Sequence, residues 1–477
     1  MTAPVQVPRA AERTTVHRRP LSFGRFVAEA QARGALVVQP RMGFSDPSLM
    51  RAGLLATKNA ADPVVGTVTI DSYTRVGDEP SAVRALHEGV LLNGFPITSY
   101  SPHTASWVLD GVRDAGFPVQ VRHGSARPQG IVAALALLGL DATEGGPVSY
   151  CLPYGRTPLL DSVRNWQESC EALAALRAHG TEPHLETFGG CMLGQLCPPG
   201  LLVALSALEA LFFHRAGLRS ISLSYAQQTS AEQDREAVHA LRRLAGDLLP
   251  DTDWHIVLYT YMGLYPRTRE GALDLLERSA ELAVDTGAAR LIVKTTAESH
   301  RIPTVAENVE ALRTASRAAA LHRADLTRRG TAPLTGAGPA RLAALADVSD
   351  NPVYAEARAL VEAVLALDPD IGQALLKAFA RGLLDVPYCL HPDNAGRTRS
   401  RIDRSGRLVW SEIGAMPIGH VTRRGGRLTA SGLYDALSFV QRRHDRALAS
   451  PTTIRATLPP ASRRPSDSRQ HTQEVAP

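Results

Sequence analysis

Three arginines stand in similar settings. Arg41 in QPRMG (39–43), Arg75 in TIDSYTR (69–75) and Arg122 in QVRHGS (120–125) each follow a short β-branched run. A guanidinium forks onto a carboxylate with two parallel hydrogen bonds. Three of them in one place repel unless an anion joins them, so together they suit a small molecule with two carboxylates. The plainer reading pairs each with a local acid such as Asp71 or Asp46. Glu144 lies in ATEGGPVSYCLPYGR (142–156), beside glycines that permit close backbone approach. A carboxylate there could hold or deprotonate a substrate ammonium, or simply sit on a turn. Tyr150 and Tyr154 could donate hydrogen bonds or pack. Lys294 ends an apolar run and is one of only three lysines, with Lys58 and Lys377; Glu298 follows four residues later. That pair is either a local ion pair on a helix turn or a grip on a polar cofactor group such as a ribose. His123, beside Arg122, reads as a hydrogen-bonded structural histidine more readily than as a ligand.

Other chemistries are argued against. The chain has fifteen histidines but no HExxH and no CxxC, so zinc catalysis is not expected. A GxxxxGK[ST] phosphate loop is absent. The five cysteines form no disulfide framework, which suits a reducing cytoplasm. The net charge is +5, concentrated in arginine-rich stretches at 1–20 and 397–427. These read as solvated surface, and neither a nucleic-acid nor a membrane partner is expected. The longest apolar segments, 130–140 and 198–213, are short or interrupted by Glu209, the latter reading as a buried helix.

The elements that would position these residues alternate in type. Short apolar or β-branched runs occur at 35–39, 64–70, 90–95, 117–122, 147–152, 219–226, 254–261 and 289–295, with HLETF (184–188) a weaker candidate. Between them 161–178, 231–248 and 270–286 read as helices, with Asp161 and Ser230 as N-caps and Gly180, Gly217 and Gly287 at C-terminal ends. Strand–helix alternation implies parallel strands with right-handed crossovers, and this many units imply an α/β (β/α)8 TIM barrel. An open doubly wound sheet would normally show a glycine-rich turn after its first strand, and QPRMGF is not one. Polar strand ends then fall on the barrel edge where active sites sit. We expect a disordered basic N-terminus (1–22), a substrate-binding barrel (23–325), a helical and loop-rich C-terminal extension (326–445) and a disordered tail (446–477). Within the extension, 328–340 reads as a linker, 352–383 as two helices and 385–417 as a loop-rich cap.

Taken in order, QPRMGF, TIDSYTR, LLNGFP, QVRHGS, EGGPVSYCLPY and LIVKTTAESHRIPT resemble the large (epsilon) subunit of glutamate mutase, also called methylaspartate mutase. The likeness runs from about 35 to about 315 and is weaker beyond. The resemblance implies that Arg41, Arg75 and Arg122 hold the glutamate carboxylates and that Glu144 meets its ammonium. It also implies that Gln120, His123, Tyr150 and Tyr154 line the substrate pocket. Lys294 and Glu298 would lie at the cofactor's ribose, with Gly43, Asn93 and Pro153 also facing the cofactor. The implied reaction is radical interconversion of L-glutamate and (2S,3S)-3-methylaspartate with adenosylcobalamin. The family's cobalamin partner carries DxHxxG; here Asp253 and His255 have that spacing, but Leu258 occupies the glycine position. The cobalt is therefore expected on a separate small subunit, with this chain a homodimer inside a heterotetramer. A related mutase acting on a modified or carrier-tethered amino acid, and a non-catalytic partner of the cobalamin subunit, are the alternatives.

Overall fold

A computed structural model describes residues 22–153, 155–192, 196–298, 300–330, 348–419 and 429–447. Eight strands run β1 (Val37–Gln39), β2 (Gly66–Thr69), β3 (Val119–Arg122), β4 (Ala142–Gly145), β5 (His184–Thr187), β6 (Ser220–Ala226), β7 (Asp253–Tyr259) and β8 (Arg290–Ile292). Each pairs in parallel with its neighbour in sequence from β2 to β8, and β1 pairs with β8. A parallel bridge between Val38 and Val64 closes the circle, with Val38 N–H donating to Pro63 O (3.2 Å) and Val65 N–H to Val38 O (3.2 Å). The chain is a (β/α)8 barrel.

The helices are α1 (Phe23–Ala32), α2 (Pro47–Lys58), α3 (Ser72–Val76), α4 (Glu79–His87), α5 (Pro102–Leu109), α6 (Gln129–Leu137), α7 (Leu159–Ala175), α8 (Pro199–Arg215), α9 (Ala231–Leu248), α10 (Arg269–Thr286) and α11 (Val305–Arg328). Local chemistry sets their ends. Ser230 caps α9 and Thr304 forms a capping box with Glu307 at α11. Helix α10 stops at Gly287, which takes the left-handed conformation (φ 65°). Helix α7 begins earlier than expected, after Pro158, leaving Asp161 in the first turn rather than at the cap. There its charge still favours the helix dipole.

Two expected strands are not strands. The run at 90–95 lies on the rim, with Leu91 82% exposed, and only Phe95 bridges to Ile70. Apolar content misled because Val90 and Leu91 face solvent, and of the apolar side chains in this run only Leu92 and Phe95 are buried. The segment 147–152 is a turn, and the strand before it is Ala142–Gly145. That strand escaped notice because the barrel interior here is polar. Conversely HLETF supplies a full strand, β5.

The polar interior carries a hydrogen-bonded middle layer. Gln39 Nε2 donates to Thr67 Oγ1 (2.8 Å) and Gln120 Oε1 (2.7 Å). Arg290 pairs with Glu186, both fully buried, and also donates to Ser222 Oγ at 3.0 Å. Such a pair is tolerated inside when most of its remaining polar atoms find partners; here both terminal nitrogens of Arg290 do, and Nε does not. Helix α8 is buried on every side from Pro199 to Phe213, between β6, α9 and α12 (Pro352–Leu365).

Beyond the barrel, α12 and α13 (Ile371–Arg381) form the two expected helices. The stretch read as a loop-rich cap instead contains an antiparallel hairpin, β9 (Thr398–Ile402) with β10 (Leu408–Ile413). Alternating arginines in TRSRI hide the strand, because its outward face is cationic. The hairpin docks on the β6–α9 connection: Thr229 Oγ1 donates to Gly406 O (2.6 Å) and Gln233 Nε2 to Leu408 O (2.9 Å). Helices α14 (Ala430–Leu437) and α15 (Phe439–Ala447) follow, α15 packing on α10. The terminal segments, most of the 328–340 linker and the arginines at 423, 424 and 427 lie outside the described residues. Among the described residues no helix is long and apolar enough to cross a membrane.

Candidate active site

A cavity of about 580 Å³ opens at the C-terminal ends of the strands, and all three arginines line it. Each arrives differently. Arg41 lies in the loop after β1, and Arg122 is the last residue of β3. Arg75 sits on α3, a single turn capped by Asp71, which accepts Tyr73 N–H (2.8 Å) and Thr74 N–H (3.0 Å). Asp46 likewise caps α2, accepting from Leu49 N–H at 2.7 Å. The two local acids are spent on helix starts and leave the arginines free for other partners.

Arg122 Nε lies 2.8 Å from Glu144 Oε2, with side chains 5% and 2% exposed. Burial would pull this guanidinium down, but Glu144, then Tyr259, hold it well above its ordinary value. Its Nη2 donates to Tyr259 Oη (3.2 Å), while Nη1 is buried without a partner. Arg41 reaches Glu298, which lies beyond the neighbouring strand β8, at 3.6 Å, and Glu298 also meets Lys294 Nζ (3.6 Å). Burial works against the Glu298 carboxylate, yet Arg41 and Lys294 lower its pKa. Lys294 is brought down to about 8, by burial first, with Glu298 opposing. Arg75 Nε donates to His123 O (2.8 Å) and has no carboxylate partner among the described residues. Among the lining residues and their direct ion-pair partners, five cations, Arg41, Arg75, Arg122, Arg301 and Lys294, meet three carboxylates, Glu144, Glu298 and Glu307, the last held by Arg301 at 2.6 Å. The excess is two positive charges.

Glu144 is on β4, not on a turn, and is almost fully buried. It accepts from Tyr150 Oη at Oε1 and from Tyr259 Oη at Oε2 (2.8 Å). Tyr259 also bonds Glu186, so its one phenolic proton serves two carboxylates. This links the cavity to the Glu186–Arg290 pair below. Sequence reading passed over Tyr259, although it opens the polar strand end YTYMG; a tyrosine there packs as often as it donates. His123 is buried, stacked on Trp166 (centroids 5.7 Å), with Nδ1 accepting Ser125 N–H (3.0 Å). Burial, then Arg75 and Arg122, depress it to about 3. It is neutral, with its proton on Nε2, a buried donor with no partner at the cavity wall.

The remaining expected residues divide. Gly43 and Asn93 line the cavity. Asn93 Oδ1 accepts Ser72 N–H (3.0 Å), and a Cβ on Gly43 would fall 2.2 Å from Thr69 O. Gln120 lies in the hydrogen-bonded layer beneath and does not line the cavity, nor does Pro153. Tyr154 lies outside the described residues. Phe188 and the segment His300–Pro303 also form walls. Phe188 could have been found from HLETF had its strand been weighted fully. His255, of the incomplete DxHxxG spacing, is buried and stacked on His184 (5.1 Å, 4°) deep in the barrel, so it cannot reach a metal at the mouth. No cluster of metal-ligating side chains occurs among the described residues.

Against known families, a model described as methylaspartate mutase E chain matches residues 19–427. Relatives described as glutamate mutase epsilon subunit share this chain's sequence over most of their length. One from Halobacterium salinarum is 30% identical over 410 residues, covering 84% of this chain and 82% of the relative. One from Escherichia coli O157:H7 is 27% identical over 416 residues, covering 84% and 82%.

Proposed function

Because the chain belongs to the methylaspartate mutase E chain family, we propose that it is the substrate-binding subunit of an adenosylcobalamin-dependent glutamate mutase, interconverting L-glutamate and (2S,3S)-3-methylaspartate. The observation that carries this reading is the charge count of the cavity: two uncompensated positive charges on forked donors, the complement of a dicarboxylate. Arg75, without an acidic partner, takes one carboxylate; the unpartnered Nη1 of Arg122 helps take it or its twin. Arg41, held loosely to Glu298 at 3.6 Å, can turn to the second. Glu144 receives the ammonium, exchanging a tyrosine hydroxyl for a charged donor. His123 Nε2–H donates to a carboxylate oxygen without contributing charge.

The donor set at Glu298 and Lys294 suits a cofactor's ribose. A carboxylate kept ionised by two cations accepts from vicinal hydroxyls, and Lys294 donates to a ring or hydroxyl oxygen. Adenosylcobalamin, when bound, supplies the radical that takes a hydrogen atom from the substrate carbon. The chain's own work is to fix the carboxylates so that the reacting carbon is aimed and fragments cannot leave, and to keep water from the cavity. The cobalt belongs on a small partner subunit carrying DxHxxG, with this chain as a homodimer in a heterotetramer in the cytoplasm. Residues 23–325 provide the substrate barrel and 326–445 cap it or make subunit contacts.

The test mixes this chain with a cognate small subunit, adenosylcobalamin and L-glutamate. 3-Methylaspartate is the expected product. Its absence from a complex shown to have assembled would overturn the proposal.

A further inference from the structure

We propose that Glu209, a carboxylate inside helix α8 that touches no part of the cavity, is a positioning residue. It latches together the two loops that carry Tyr150 and Phe188. This rests on the reading that the cavity is the substrate site.

Every residue from Pro199 to Phe213 is buried, and Glu209 is the one charged side chain among them. A structural helix in such a place has no need of a carboxylate, and burying one without partners is costly. Glu209 instead accepts four hydrogen bonds. Oε1 takes Val148 N–H (3.2 Å) and Ser149 N–H (2.9 Å); Oε2 takes Ser149 Oγ–H (3.0 Å) and Gly189 N–H (2.8 Å). Three donors come from the turn after β4 and one from the turn after β5. Tyr150, next to Ser149, donates to Glu144, and Phe188, next to Gly189, lines the cavity. The two rings meet with centroids 5.0 Å apart. Glu209 thus fixes both walls from behind.

The sequence accommodates this at both strand ends. Each of β4 and β5 runs into a glycine pair, Gly145–Gly146 and Gly189–Gly190. A Cβ on Gly146 would lie 2.1 Å from the Glu209 carboxylate, and one on Gly189 would lie 2.7 Å from the α8 backbone at Leu205. Gly146 and Gly189 let the two loops press onto α8 closely enough to reach one carboxylate.

Three partners are backbone N–H groups and the fourth is a hydroxyl. An ionised carboxylate accepts from all four more strongly than a neutral carboxyl does, so protonation weakens the latch. Burial raises Glu209 to about 7, the hydrogen bonds from Ser149, Gly189 and Val148 opposing. Across from it on α7 stands the Cys170 thiol, pushed up by burial first, then by Glu171 and Glu209, and so neutral. The sign separates positioning from stability. A carboxyl raised in the fold stabilises most at acid pH, and that contribution is lost as pH rises through about 7. Acidification therefore relieves the burial of Glu209 while it loosens its hold on the loops.

The experiment uses the assembled enzyme and follows turnover of L-glutamate from pH 6 to 9, with hydrogen exchange at peptides spanning 146–152 and 188–192. Wild type should lose activity on the acid side with a midpoint near 7. Glu209→Gln presents an amide N–H₂ to one set of donors. It should cut kcat/KM about tenfold or more, chiefly through KM, abolish the acid limb and speed exchange in both peptides. Ser149→Ala removes one donor, so its limb should move to higher pH; this milder variant decides the matter should Glu209→Gln not fold. An acid limb that neither variant moves, or exchange that rises at one loop only, would overturn the latch. Exchange reads the loops without turnover, so a complex that converts no glutamate at all fails the functional reading alone.

Discussion

At the scale of single residues, the clamp depends on geometry as much as on charge. Arg75 is tethered through Nε to His123 O, which leaves its two terminal nitrogens for a carboxylate. Arg75→Lys keeps the charge and loses both the tether and the fork. We expect KM for L-glutamate to rise by roughly one to two orders of magnitude, the loss of about two charge-assisted hydrogen bonds, with the fold unchanged. Steady-state kinetics with circular dichroism checks this; wild-type KM would refute the clamp. These arginines were legible in the sequence because each follows a β-branched run within a few residues, and a barrel sends every such end to one mouth. Their partners were not legible. Glu298 is 257 residues from Arg41, and the pairing of Tyr259 with both Glu144 and Glu186 depends on barrel closure. Sequence spacing carries no information about either.

Elements show where pattern reading succeeds and where it stops. Amphipathic helices such as α9 and α10 were legible to within a residue or two, because one face is apolar and the ends carry caps. Strand β4 was not, since ATEG points Glu144 into a polar barrel, and the neighbouring apolar turn drew the assignment instead. The same polar interior makes backbone approach a constraint at loop crossings. Gly43 was expected to face a cofactor, but its immediate neighbour is the backbone of β2: an added Cβ would sit 2.2 Å from Thr69 O. Thr69 N–H also donates to Met42 O at 2.8 Å, so the loop cannot simply back away. Gly43→Ala should therefore destabilise the protein by about 1–3 kcal/mol, as overpacking does. That loss should appear as a lower Tm in the isolated chain, before any cofactor or partner is added. An unchanged Tm with weakened cofactor binding would assign Gly43 to the ligand rather than to the crossing.

For the whole molecule, the barrel gathers charge that its own sequence does not balance. Arg41 and Lys294 share Glu298, Arg122 has Glu144, Arg301 has Glu307, and Arg75 has no acid among the described residues, an excess of two over the lining of one 580 Å³ cavity and its direct ion-pair partners. Repulsion among these groups is a cost the empty fold carries, and a bound dianion removes it. Ligand that binds only the folded state stabilises it by about 2.7 kcal/mol at a hundredfold excess over Kd. A dicarboxylate such as glutarate should accordingly raise the Tm of this chain without cofactor or partner. Butyrate, of similar length with one carboxylate, should raise it far less at equal concentration and ionic strength. The glutarate shift should fall as Arg75 or Arg122 is replaced, and should shrink with added salt less than a surface ion pair would, because Arg122 is buried. L-Glutamate should exceed glutarate only if Glu144 receives the ammonium, since that is the one contact the two ligands do not share. Equal shifts from glutarate and glutamate would leave the arginine clamp standing and remove Glu144 from substrate recognition; equal shifts from glutarate and butyrate would remove the clamp.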